Sequence, residues 1–373
     1  MRNTKKITLY EICLITMILM SEIKKIYLFQ QYYNLFSFVK YIEIAMYLVL
    51  ICIIAKKQYT AKQLIVIATL VLILGIGFLK TRNTIFLRGL LVIVAAKGIP
   101  YEKIVNTMFI TIMSVFILTV LMYSFGLSNA TGFRRNGVAL GYIHPNQTAQ
   151  VTMILSLLWL MKKNKSVSTK QVVVLYTINI LITIITGSRT PFLILLIMPI
   201  LLYIINKSVF RNGIISKLSA FIQFVLVLLT VISGIFYQNS RLIVFLDKKY
   251  FNIFNTFTGR IFLNWYAFKT YGFSLFGRII DFKNATYTID NSYAVSLMSM
   301  GILPTIIFMC GFVFTVRKAI KEKNVTLIAV SVGLGLYGFC EASMLDVFNN
   351  FIYLYLMTKP NIINKSSKGE TKC

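Results

Sequence analysis

The sequence predicts an all-α polytopic membrane protein of about twelve transmembrane helices, with one large external loop carrying short amphipathic helices. Three observations carry that reading. Hydrophobic residues fill 57% of its 373 positions and charged residues 13%, at a mean hydropathy of +0.76, against roughly 45–50% apolar in a soluble domain. The apolar residues come in repeated runs, each close to the roughly 20 residues that a helix needs to cross a bilayer. The basic residues behind the net charge of +28 gather in the short connections between those runs, a pattern that orients a membrane protein. In a soluble chain such charge would suggest nucleic acid; here its placement argues against that partner. One integral domain, residues 1–373, is expected, with no soluble domain attached.

The spans are expected near 7–21, 41–55, 63–79, 84–99, 103–126, 147–161, 171–187, 190–206, 218–237, 291–316, 325–343 and 347–358. Twelve crossings put both termini on one side. With the termini in the cytoplasm of a cell membrane, the internal segments hold 23 Lys and Arg and the short external ones 8. The 238–290 loop adds seven more outside, but long loops translocate largely regardless of charge. The first apolar run contains Glu11 and lacks a small-residue cleavage site, so it reads as a weak first span rather than a cleaved signal.

In chain order, region 22–40 is rich in Lys, Tyr and Phe and reads as an external hairpin at interfacial depth, where aromatic rings settle. Arg88 lies inside the fourth span, where a lipid-facing guanidinium costs about 2.5–3.5 kcal/mol; it should face the bundle interior or snorkel outward. Next comes Arg134-Arg135-Asn136-Gly137, then Leu140-Gly141-Tyr142-Ile143-His144-Pro145-Asn146, a polar interruption holding the chain's one histidine. Pro145 pushes His144 toward extended backbone, and Asn146 sits where a helix cap is expected. His144 would then lie above a helix N-terminus, a place that attracts anions. The alternative is an ordinary re-entry turn with a capping Asn.

Thr186-Gly187-Ser188-Arg189-Thr190-Pro191 reads as a tight turn with Pro191 in the first turn of the next helix, holding Arg189 at the mouth of the bundle. The 238–290 loop is too aromatic for a linker, and its segment 259–271 pairs Ile261/Phe262, Trp265/Tyr266 and Phe268 at the spacing of an amphipathic helix on the membrane. Asp290-Asn291-Ser292-Tyr293 opens the following span, with capping as the plain reading of Asp290 and Asn291. Glu341 and Asp346 flank the last external turn, where an acid seldom stands without a partner or a task. Cys13, Cys52, Cys310, Cys340 and Cys373 form no CxxC pair, so neither a disulfide framework nor a zinc site is expected.

Taken together, Arg135-Asn136-Gly137, Leu140 to Asn146, Thr186 to Thr190, the large loop and Asp290 to Tyr293 resemble, in order and common external placement, the Wzy-type bacterial polysaccharide polymerases and the related O-antigen ligases. The resemblance covers the whole span pattern and is sharpest from Arg134 to Arg189. It implies transfer of an oligosaccharide from a polyprenyl diphosphate onto a sugar hydroxyl of another lipid-linked repeat unit, without metal or other cofactor. The partners would be that lipid-linked donor and acceptor, membrane lipid, and other polysaccharide-assembly proteins. Arginine suits a leaving diphosphate, because its fork matches phosphate oxygens. A positioned base helps the attacking hydroxyl. His144, Arg189, Glu341 and Asp290 are therefore expected as catalytic groups, with Arg134, Arg135, Asn146, Arg260, Arg278, Asn291 and Tyr293 as substrate-binding ones. No Asp-x-Asp occurs, nor a His, Asp or Glu cluster with metal-ligand spacing.

The rival class is a flippase of lipid-linked sugars, which should place charges within several spans and show two similar halves. Here Glu43 and Arg88 lie in the first half, and the large loop occupies one half only. A structural subunit without chemistry gives no reason for arginines to gather on one face.

Overall fold

The computed structural model describes residues 7–128, 137–163, 169–210, 213–245, 260–280 and 289–359. In chain order its helices are α1 (Leu9–Ile23), α2 (Tyr27–Gln30), α3 (Tyr33–Ala55), α4 (Ala61–Thr81), α5 (Ile85–Ala95), α6 (Tyr101–Ser124), α7 (Pro145–Lys163) and α8 (Thr169–Thr186). These are followed by α9 (Thr190–Phe210), α10 (Ile214–Ser219), α11 (Ile222–Ile235), α12 (Arg241–Phe245), α13 (Arg260–Tyr271), α14 (Ser292–Val295), α15 (Ile302–Lys321) and α16 (Val325–Cys340). A π-helical turn, Ser296–Met300, follows α14, and two 3-10 stretches, Ala342–Leu345 and Phe351–Met357, follow α16. No strand forms among the described residues.

The chain is an all-α protein with membrane-crossing helices. Five of them (α3 through Phe38–Ala55, α4, α6, α9 and α15) are long and apolar enough to cross a membrane. Four shorter ones, α5, Lys170–Thr186 of α8, α11 and α16, are also apolar. The expected count of twelve membrane-length helices is therefore not met. The clearest departure is the last expected span, 347–358. It is a seven-residue 3-10 helix, which at about 2.0 Å per residue extends well short of the roughly 30 Å hydrocarbon core. Phe351, Ile352, Tyr353, Leu354 and Tyr355 are all buried. The segment lies along α5 from end to end: Asp346 meets Arg88 near the start of α5, and the Lys359 N–H donates to Ile99 O just past its end. Its apolar run covers a core position enclosed by protein, which hydrophobicity alone does not distinguish from a lipid-facing span.

The bundle has two chemically different ends. At one, lysines tie helix termini together. Lys103 pairs with Glu11 at 2.5 Å, Lys57 Nζ donates to Ala95 O and Lys97 O at 2.5 and 2.6 Å, and Lys318 donates to Tyr355 O and Thr358 O at 2.8 and 2.6 Å. Outside the spans, burial and then the neighbouring Lys97 charge hold the Lys57 amine below its usual value. The opposite end carries Glu22, Glu43, Asp290, Glu341 and Asp346, each near a cation.

At that opposite end the described part of the long 238–290 connection docks edge-on against a broken helix. Gly301 separates the π-turn from α15 at φ +100°, and Gly277 faces it at φ +80°. Ile302 and Leu303 N–H donate to Ser274 O and Leu275 O at 3.0 and 3.1 Å, and Arg278 N–H donates to Ser299 O at 3.3 Å. A Cβ on either glycine would overlap the facing segment's backbone, and both φ values disfavour L side chains. Gly301→Ala is thus expected to sharply reduce the yield of monodisperse protein in detergent, while Gly75→Ala, which meets nothing within 4 Å, leaves it unchanged. Equal yields would show that the docked break does not matter to folding.

The helix expected at 259–271 is α13. Its Asn264, Ala267 and Phe268 are buried, and it packs on α11, where Gly234 leaves room for the Phe268 ring. The region 22–40, read as a hairpin, is mostly helix, since α3 already starts at Tyr33.

Candidate functional site

Arg260 opens α13 and reaches across to the end of α16. Its Nη2 donates to Glu341 Oε1 at 3.2 Å and lies 3.5 Å from Asp290 Oδ2. Burial opposes its charge, but the Glu341 and Asp290 carboxylates outweigh that and hold the guanidinium above its ordinary value. Its Nη1 is buried with no hydrogen-bond acceptor among the described residues, an unusual state for a buried donor. Asp290 is the more open carboxylate, 38% exposed against 13% for Glu341.

The backbone around this cluster is held by the residues following Asp290. Asn291 caps α14, its Oδ1 accepting from Tyr293 and Ala294 N–H at 2.9 and 3.0 Å, while its Nδ2 donates to Thr230 on α11 at 3.2 Å. Tyr293 OH donates to Gly335 O at 2.7 Å, and Ser292 Oγ donates to Glu341 O at 2.5 Å. Asn291 and Tyr293, expected to bind substrate, are therefore turned inward and position the acids instead. Such side chains satisfy backbone groups that a broken span leaves unpaired. Arg278 is exposed, its guanidinium donating to Phe273 O at 3.4 Å; no contact among the described residues brings it to Arg260.

A second cluster shares the 341–350 turn. Arg88 Nη2 donates to Asp346 Oδ2 at 2.7 Å, Arg88 Nη1 lies 3.8 Å from Glu43, and Lys24 pairs with Glu43 at 2.6 Å. Arg88 faces the bundle interior, with its side chain 10% exposed and its guanidinium over the Phe348 ring. Beside it, Lys25 pairs with Glu22 at 2.6 Å and donates to Asn349 Oδ1 at 3.1 Å. Tyr142 lies close by; burial, and next the Glu22 carboxylate, push its phenol well above the ordinary value, while Thr119 works the other way. Sequence reasoning passed over Glu22, Lys25 and Asn349, because a Glu-x-Lys-Lys run at the end of a span looks like solvated loop. The signal it offered was an acid placed one helical turn before a lysine.

The described start of the polar interruption, Gly137 and Val138, lies against the end of α8 beside the Arg189 turn. Val138 N–H donates to Ile185 O at 2.9 Å, and a Cβ on Gly137 would strike Thr186 O. Residues 25–27 pair with 141–143, through Tyr27 N–H to Gly141 O and Ile143 N–H to Lys25 O, both 2.9 Å. Arg134 and Arg135 lie outside the described residues. Helices α9 and α16 pack closely with Ile194 and Met198 against Gly333. Since each helix advances 1.5 Å per residue, stepping back along α9 and forward along α16 brings exposed Arg189 level with Glu341.

His144, not Asn146, caps α7: Pro145 is the first helical residue, and His144 Nδ1 accepts the Asn146 N–H at 3.1 Å. A neutral imidazole accepting at Nδ1 carries its proton on Nε2. In this geometry the capping bond occupies the Nδ1 lone pair of exposed His144. His144→Asn, which can still cap, is expected to retain thermal stability, while His144→Ala loses about 1 kcal/mol in a detergent melt. Equal melting of the two variants would remove the capping role.

A scan against models of protein families, a search of curated proteins and a search of solved structures give no match to this chain.

Proposed function

We propose that the chain is an oligosaccharide repeat-unit polymerase, a metal-independent glycosyltransferase acting on polyprenyl-diphosphate-linked donor and acceptor at the external face of the cell membrane. The observation that carries the proposal is Arg260, held between Glu341 and Asp290 with a buried Nη1 that has no hydrogen-bond acceptor among the described residues. A guanidinium fixed by two carboxylates and still offering a donor suits a diphosphate oxygen whose charge grows as the bond breaks.

In this reading the acceptor hydroxyl attacks the anomeric carbon, the new C–O bond forms as the C–O bond to diphosphate breaks, and the lipid diphosphate leaves. Asp290, the more exposed acid, takes the hydroxyl proton, and Glu341 keeps Arg260 in place. Arg189 supplies a second cation to the diphosphate. Arg134 and Arg135 complete the cationic set in this reading. His144 donates from Nε2 to a phosphate or sugar oxygen. The proposal includes twelve crossings, in which α1, α7 and the whole stretch 346–359, which runs inside the bundle from the acid-bearing end to the lysine-bearing end, complete the set begun by the five long and four shorter apolar helices. The lysine-bearing end and both termini then lie in the cytoplasm.

Deleting the gene in its host tests the class. Accumulation of single lipid-linked repeat units on the outer face, with loss of polymer, is the expected result. Units trapped on the inner face would instead identify a flippase.

A further inference from the structure

We propose that the space between α6, α7 and α8 is a binding site for one anionic phospholipid, with an acyl chain in the cavity and the headgroup phosphate on Lys162 and Lys170. The cavity measures about 470 Å³, and Phe109, Met113, Phe116, Leu155, Trp159 and Leu175 dominate its wall. That volume lies within the roughly 300–1,000 Å³ of small-molecule sites. Its deep polar groups are already satisfied. Asn179 Nδ2 donates to Ser156 Oγ at 2.9 Å and to Leu175 O at 2.8 Å, and Ser156 Oγ donates to Thr152 O at 2.8 Å. An apolar occupant therefore leaves these donors paired.

The opening and depth identify that occupant as a lipid of one leaflet. Val174 and Ile178 line the cavity and are 57% and 49% exposed, so it opens sideways to whatever surrounds the bundle. From Lys170 to Asn179 along α8 the cavity runs nine residues, about 13 Å at 1.5 Å each, close to half of the roughly 30 Å hydrocarbon core. At its rim Lys162 Nζ sits 5.2 Å above the centroid of Phe109, itself a wall residue, and exposed Lys170 lines the mouth. A basic rim above an apolar slot between helices selects an anionic headgroup over a zwitterionic one.

The chain has two tryptophans, so Trp265→Phe leaves Trp159 as the sole reporter in the cavity wall. The purified variant, reconstituted in phosphatidylcholine, is titrated with chain-brominated phosphatidylglycerol or, separately, chain-brominated phosphatidylcholine at the same low mole fraction. Several-fold stronger quenching by the phosphatidylglycerol is expected, falling to the phosphatidylcholine level in Lys162→Gln/Lys170→Gln. Equal quenching by both lipids, no quenching by either, or a preference that survives the lysine substitutions would each overturn the proposal. Native mass spectrometry of the unaltered protein gives an independent reading: phosphatidylglycerol should remain bound after detergent exchange and be lost from the double-lysine variant, and its absence from the unaltered protein counts against the site.

Discussion

Arg260→Ala is expected to lower polymer formation from purified lipid-linked repeat units by about 100-fold or more, the scale seen when a group aimed at developing charge is removed. Asp290 is 38% exposed, so water can meet that carboxylate, while Glu341, 13% exposed, loses its hydrogen-bonded cation; the rate is therefore compared per mole of monodisperse protein, of which a reduced but measurable yield is expected. Arg260→Lys keeps the charge but loses the planar fork and should recover only a small part of the rate. Asp290→Asn separates the roles of the acids: as the base it should lose turnover while donor binding persists, whereas Glu341→Gln should weaken both by freeing Arg260. Near-normal turnover in both Arg260 variants would remove this cluster from the chemistry.

Arg88→Ala should behave oppositely, removing the folded protein rather than the activity of a folded one. Its side chain is 10% exposed and its partners Asp346 and Glu43 are 16% and 11% exposed. Breaking a buried pair leaves an uncompensated charge at a cost of about 3–5 kcal/mol. Glu43 keeps Lys24 at 2.6 Å, so Asp346 bears most of the loss. Arg88→Met with Asp346→Leu removes both charges and preserves apolar volume, and it should restore most of the yield of monodisperse protein. If Arg88→Ala alone purifies like the unaltered protein, the pair is not what holds the 341–350 turn against α5.

These contrasting expectations come from two arginines that sequence treated differently. Arg88 stood out, because a charge inside an apolar run demands a partner, yet the run did not name Asp346, 258 residues away. Arg260 was one of seven cations in a long loop, and only the docking of α13 on α11 joins it to Glu341 and Asp290. The polar interruption from Gly137 to Asn146 was legible as a site near a helix start, since Pro145 marks the first turn. Which residue caps that helix was not legible, because His and Asn both offer an acceptor, and the backbone decided for His144.

The sequence by itself determined the helical class, the membrane environment, the segregation of lysines and most of the segment positions, because hydrophobic periodicity and charge placement are local properties. Tertiary structure alone decided the rest. It made the final apolar run a buried 3-10 rod along α5, set the Gly277–Gly301 contact that breaks the tenth span, and gathered five acids with their cations at one end. Each of these depends on which backbone lies across from which, and on charges that are tolerable in an apolar bundle only when a partner distant in sequence meets them.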